Sequence, residues 1–191
     1  MRQIDLKYSI ALFVGIFCLS SMGLCAELNE PLFSLGASTG VFQINYRHAS
    51  ATDSVSGTTT ASEPTLGVVL LFTAPLPVFP EEAPFGLAAQ AGYNYNLPAN
   101  DLAVSYSFAN LLFKRDISID MNGYLGAGAL YSIWNQGIEG GIGWQIVAGA
   151  KNTEGLYTGI RYISVPGSRL TGSYQSTFLL SQIIFDLQYN F

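Results

Sequence analysis

Along most of this chain large apolar side chains occupy every second position, with polar or small residues between them. Over 85–97, Phe85, Leu87, Ala89, Ala91, Tyr93, Tyr95 and Leu97 share one face, and Gly86, Ala88, Gln90, Gly92, Asn94 and Asn96 share the other. A period of two is the side-chain period of a β-strand. Eight such segments are predicted, over 32–47, 65–74, 85–97, 102–113, 117–134, 138–151, 156–165 and 174–191. In the fifth, Ile117, Ile119, Met121 and Leu125 oppose Ser118, Asp120, Asn122 and Tyr124. In the sixth, Ile142, Trp144, Ile146, Ala148 and Ala150 oppose Gly143, Gln145 and Gly149. The first changes phase: Leu35, Ala37 and Thr39 share a face that Phe42, Ile44 and Tyr46 continue one residue late, which predicts a β-bulge at Gly40–Val41. Segment 65–74 is apolar on both faces, so its parity stays open.

The connections alternate between long and short. Residues 48–63 form a Ser/Thr/Ala stretch without apolar periodicity, while 114–116 (KRD), 151–155 (KNTEG) and 166–173 are turn-rich. The Pro-rich connection 75–84 is long for its place in this alternation. Aromatics gather near the predicted strand ends. Phe33, Phe72, Phe85, Phe113, Tyr157 and Tyr189 are expected at one level, and Tyr46, Tyr95, Tyr106, Trp134 and Tyr162 at the other.

Composition decides what covers the apolar faces. Charged residues are 11% of the chain, against about 25% in an ordinary soluble domain. Yet after the first 26 residues no run of 18 apolar positions would make a membrane helix; the strongest, from Leu66, is cut by Pro75 and Pro77. A closed β-barrel is the other structure that satisfies every backbone group in lipid. The expected fold class is therefore all-β: an eight-stranded antiparallel up-and-down transmembrane β-barrel. An even strand count puts both termini on one side, with 48–63 at the opposite, outer side.

The N-terminus reads as a signal peptide over 1–26. Arg2 and Lys7 precede an apolar run, and small residues lead to a cleavage position after Ala26. The barrel is assigned to 27–191. Cys18 and Cys25, the only cysteines, fall within 1–26, so the barrel segment holds no thiol and no disulfide. It has 12 acidic residues (13 less Asp5) against 6 basic ones (8 less Arg2 and Lys7). That balance, with no basic cluster, argues against a nucleic-acid partner.

The last strand carries the most specific pattern. Ile183, Phe185, Leu187, Tyr189 and the terminal Phe191 alternate with Gln182, Asp186, Gln188 and Asn190, Ile184 being the apolar exception. This strand resembles the assembly signal of Gram-negative outer-membrane proteins, and the segment as a whole is similar to the small OmpA-like and OmpX-like barrels. The resemblance implies a cell outer-membrane location, contact with lipid bilayer and lipopolysaccharide, and handling by periplasmic chaperones and the barrel-assembly machinery. It also implies a monomer, and says little about activity because one scaffold hosts many functions.

Candidate chemistry is sparse. A bore of eight strands is filled by side chains, so inward charges need partners. Arg161, Asp120 and Asp186 are expected to face inward and pair, as a structural plug. His48 is the sole histidine, and Ser50 two residues on would share its face toward lipid, with Asp53 or Glu63 to orient the base. Lone histidine and absent cysteine give no metal site, and no catalytic residue or cofactor is assigned. Lipid A 3-O-deacylases resemble this chain only in fragments: His48-Ala49-Ser50 after inverted Tyr46-Arg47, and Arg161-Tyr162 with no histidine following. Palmitoyltransferase-type barrels use His, Asp and Ser at the rim, of which His48 and Ser50 supply two. The expected role is structural or surface-presenting, with 48–63 as a recognition element. The alternatives are a lipid A-modifying enzyme and a narrow transporter of small apolar molecules.

Overall fold

The computed structural model describes residues 33–49, 54–60, 65–80, 83–97, 103–171 and 174–190. Among the described residues the protein is all-β, with ten strands: β1 (Phe33–Ala49), β2 (Ser54–Thr60), β3 (Thr65–Leu76), β4 (Phe85–Asn96), β5 (Val104–Ser118), β6 (Met121–Trp134), β7 (Glu139–Gly140), β8 (Ile142–Asn152), β9 (Leu156–Thr171) and β10 (Tyr174–Asn190). Eight of them close an antiparallel ring in the order β1, β3, β4, β5, β6, β8, β9, β10, with β10 pairing back onto β1. β2 folds back on the far half of β1, pairing Gln43 to Ala49. β7 pairs β9 in line with β8, one residue out of register across Gly141.

Paired residues can be followed round the wall from Phe33 through Phe72, Ala91, Ala109, Ala129, Trp144, Ser164 and Ser181. The path returns to β1 at Gln43, ten residues beyond its start. A stagger of ten over eight strands tilts them by about 40° and leaves a bore that side chains fill. One end of the barrel, the terminus end, holds Phe33, Leu76, Phe85, Asn190 and the turns 119–120 and 153–155; the opposite, loop end holds Ala49, Thr65, Asn96, Val104, Trp134, Thr171 and Tyr174.

The alternation of β4 holds: Ala88, Gln90, Asn94 and Asn96 are buried in the bore, while Tyr93 and Tyr95 are exposed outside. β10 behaves likewise. Ile183 is 40% exposed on the outer face, whereas Ile184, the exception in its pattern, is 1% exposed inside. The open parity of 65–74 is settled by β3, whose Leu66, Val68 and Leu70 point outward while Val69 and Leu71 fill the bore.

Several boundaries differ from the sequence pattern. There is no bulge at Gly40–Val41: β1 keeps one register against β10 and β3, so Val41 points outward while Phe42 and Ile44 point inward. The reason lies in the loop-end bore, which is packed with apolar side chains, among them Phe42, Val69, Val104, Leu180 and Val165. Residues 114–116 are not a turn; β5 runs through them to Ser118, with a register shift between Asp116 and Ser118. Residues 166–171 belong to β9, and part of 48–63 is β2. Among the aromatics, Tyr46, Tyr106, Trp134 and Tyr157 lie on inward positions rather than in outer belts, while Phe33, Phe85, Phe113, Tyr189, Tyr95 and Tyr162 are exposed outside.

Candidate functional site: the filled bore

From the terminus end upward, the bore is closed by layers of different chemistry. The first is Ala88, Leu112, Tyr124, Val147 and Tyr157, with the two tyrosine rings edge to face at 6.3 Å. The Tyr157 hydroxyl lies over Gly149 and Gly159, where a Cβ would collide with it.

The ion pair follows. Arg161 on β9 and Asp186 on β10 are both buried. Arg161 Nε donates to Asp186 Oδ2 at 2.6 Å and Nη2 to Oδ1 at 2.7 Å, a two-pronged pair of the strong kind. Nη2 also donates to Asn94 Oδ1 at 2.8 Å, and the guanidinium sits 5.1 Å from the centre of the Phe108 ring. Ser38 donates to the same Asn94 oxygen, and Asn94 passes the chain on to Asn96, whose amide donates to the Val104 carbonyl. The positive charge thus meets a carboxylate, an amide oxygen and a ring face within one enclosed network.

A second network is a row of amides along the register. Thr73, Gln90, Asn110, Gly128 and Gln145 are successive partners on β3, β4, β5, β6 and β8. Gln145 donates to Asn110 at 2.7 Å, Asn110 to Gln90 at 2.8 Å, and Gln90 to Thr73 at 3.4 Å. Gly128 has no side chain to block Gln145 from crossing β6. Nearby, Tyr106 donates to Gln182 and Gln182 to Thr65. Above these the apolar layer closes the bore, and the Trp134 indole donates to Ser132. Ser132 also accepts from the Gly141 amide, tying down the break between β7 and β8.

Among the described residues, the loop-end lip brings a histidine beside a serine. His48 Nδ1 lies 2.6 Å from Ser176 Oγ, its register partner on β10, with the Tyr46 and Phe178 rings alongside.

Of the residues singled out from sequence, Arg161 and Asp186 are brought together and Asp120 is not. Asp120 lies in the exposed turn between β5 and β6, because the strand predicted to begin at 117 begins at Met121. Ile183, Phe185, Leu187 and Tyr189 form one exposed outward stripe, and Phe191 lies outside the described residues. His48 takes the inward parity of β1 rather than the outward one, while Ser50, Asp53 and Glu63 lie outside the described residues. Arg161 and Tyr162 point to opposite sides of the wall. Asn94, Asn110 and Gln145 were not singled out from sequence, although the alternation puts Asn94 and Gln145 on the polar side. Among the described residues no cluster of His, Cys, Asp and Glu could hold a metal ion.

No protein-family model and no curated protein matches this chain. Among solved structures it is similar to Neisserial surface protein A, at 14% identity over 83% of this chain and 97% of that one, with a TM-score of 0.44. It is similar to the outer membrane protein OprG from Pseudomonas aeruginosa at 10% identity, over 85% and 97%, with a TM-score of 0.46. A third is the outer membrane enzyme PagL, at 13% identity over 74% and 97%, with a TM-score of 0.38. At these identities the likenesses decide nothing about activity. The fold, an eight-stranded antiparallel ring, rests on the chain's own strand pairings.

Proposed function

We propose that this chain is an integral outer-membrane β-barrel with a structural, surface-presenting role. Residues 1–26 act as its cleaved signal peptide, and the outward stripe Ile183, Phe185, Leu187, Tyr189 with Phe191 acts as its assembly signal. One observation carries the proposal: among the described residues the bore is packed with apolar clusters and hydrogen-bonded polar side chains, while the outer wall is largely apolar. A filled bore suits an anchor better than a pore, and an apolar outer face without a protein cover suits hydrocarbon. The 48–63 segment, which includes β2, then stands at the cell surface as the recognition element, and Arg161 and Asp186 serve as an internal brace. The test is threefold. The chain should co-sediment with outer membrane, migrate faster on a gel before boiling than after, and carry no steady current in a planar bilayer. A chain that stays soluble and monomeric without detergent ends the proposal.

A second reading has its own observation, the 2.6 Å contact between His48 Nδ1 and Ser176 Oγ. A serine beside a base is the elementary unit of acyl transfer. A lipid A-modifying enzyme would use Ser176 in place of Ser50, with His48 taking its proton. Lipid A from cells with and without the chain, compared by mass spectrometry, decides it; identical profiles retire the enzyme.

A further inference from the structure

The outward apolar surface does not run level round the barrel. Because the register climbs ten residues in eight steps, levels on different strands can be compared. On the β4–β6 side the turn holding Ile117 and Ile119 reaches about 10 Å below the level of Phe33 and Tyr189. A quarter of the way round the ring, the β8–β9 turn stops within about 5 Å of that level and is polar, with Thr153 and Glu154 exposed.

The low side is apolar. Ile119 is 97% exposed, and Ile117, Val78, Phe79, Phe85 and Phe113 are exposed around it. Phe79 meets Phe85 edge to face at 4.9 Å, and Phe85 stacks on Phe113 at 6.3 Å, so the patch is continuous with the girdle above. Arg115 is exposed beside it, and Asp116 and Asp120 stand at the same end. At the loop end the asymmetry reverses. Exposed Leu179 and Leu170 on β10 and β9 lie about 5–15 Å above the level of Leu97, the exposed apolar residue that follows β4.

We infer that the barrel sits tilted in its bilayer, leaning so that Val78, Phe79, Ile117 and Ile119 dip into the headgroup layer at the terminus end while Leu170 and Leu179 enter it at the loop end. The inference rests on the proposal that the chain spans a bilayer and adds the lipid surface each end meets. Two apolar excursions on opposite sides and at opposite ends describe one oblique band, and tilting brings an oblique band level. A partner protein on the low turns alone would leave Leu170 and Leu179 unexplained. Rings and an arginine together are the residue types that the headgroup level favours, the arginine facing anionic phosphates.

Spin-label depth measurements test this in lipid vesicles. Single cysteines are placed by Ile119→Cys, Leu170→Cys, Glu154→Cys and Leu125→Cys in the full chain carrying Cys18→Ser and Cys25→Ser. Ile119 and Leu170 are largely exposed, so their labels leave the packing intact. Collisions with oxygen should dominate at 125, 119 and 170, deepest at 125, and collisions with a water-soluble nickel chelate at 154. If 119 and 170 are as open to nickel as 154 while 125 remains in lipid, the barrel stands upright and the tilt is overturned. If 125 is itself open to nickel, the chain does not span the bilayer, and both proposals go.

Discussion

Gln145 on β8 hydrogen-bonds Asn110 on β5 at 2.7 Å, although a whole strand lies between them. The contact exists because that strand offers Gly128 at the crossing, where a Cβ would run into Asn110 Oδ1 and the Ala109 carbonyl. A strand glycine marks such close approaches.

Gly128→Ala should therefore destabilise the barrel by about 1–3 kcal/mol, the range for overpacking a well-filled interior, and Gly128→Val by more. Urea unfolding in lipid vesicles, followed by tryptophan fluorescence, measures it. An unchanged midpoint for the alanine variant would mean the amide row does not depend on this gap.

Arg161→Met should cost about 3–5 kcal/mol, because it leaves Asp186 charged and buried without its partner. The double variant Arg161→Met with Asp186→Leu should recover most of that loss. The same unfolding assay separates the two. A double variant as unstable as the single one would show that packing, not the stranded charge, was lost.

A charge on the outer wall should be tolerated according to depth. Phe185→Arg lies near the middle of the girdle and should cost about 2–4 kcal/mol, whereas Ser181→Arg, nearer the loop end, should cost about 0–1 kcal/mol. Both positions face outward on β10. Equal costs would mean that the girdle does not follow the bilayer's depth profile.

The β1–β2 hairpin has a local test. Tyr46 covers its register partner Gly57, filling the space that a side chain at that glycine would take, and Thr58 donates to Asn45 at 2.7 Å. An aromatic laid over a strand glycine steadies a hairpin. Tyr46→Ala should speed proteolysis within 50–64 on vesicle-bound protein while gel migration before boiling stays fast. Unchanged cleavage would leave the ring without a role in ordering the hairpin.

The ring of eight strands was legible because one face of most segments is apolar and the other polar. That signal is strongest where the bore holds amides, as along β4. It fails at the loop end, where the bore is packed with Phe42, Leu180 and Val165 and both faces of a strand are oily. Parity is then invisible, and a smooth β1 looks bulged. The turn between β5 and β6 was missed for the converse reason: Ile117 and Ile119 continue the strand pattern past the end of the wall, which carried Asp120 into the bore on paper. Arg161 and Asp186 could be matched because buried opposite charges have few alternatives. The amide row could not, since it depends on the mutual register of five strands, which no single stretch encodes.

The sixteen residue pairs between β1 and β10 join the two ring strands that lie farthest apart along the chain. Any subset of the wall that lacks either strand has two raw edges, each a row of unsatisfied amides and carbonyls. The first strand must therefore wait, its bonding groups uncommitted on one side, until the last has been delivered. Completion is all or nothing, and an interrupted copy is a sticky fragment rather than a smaller barrel.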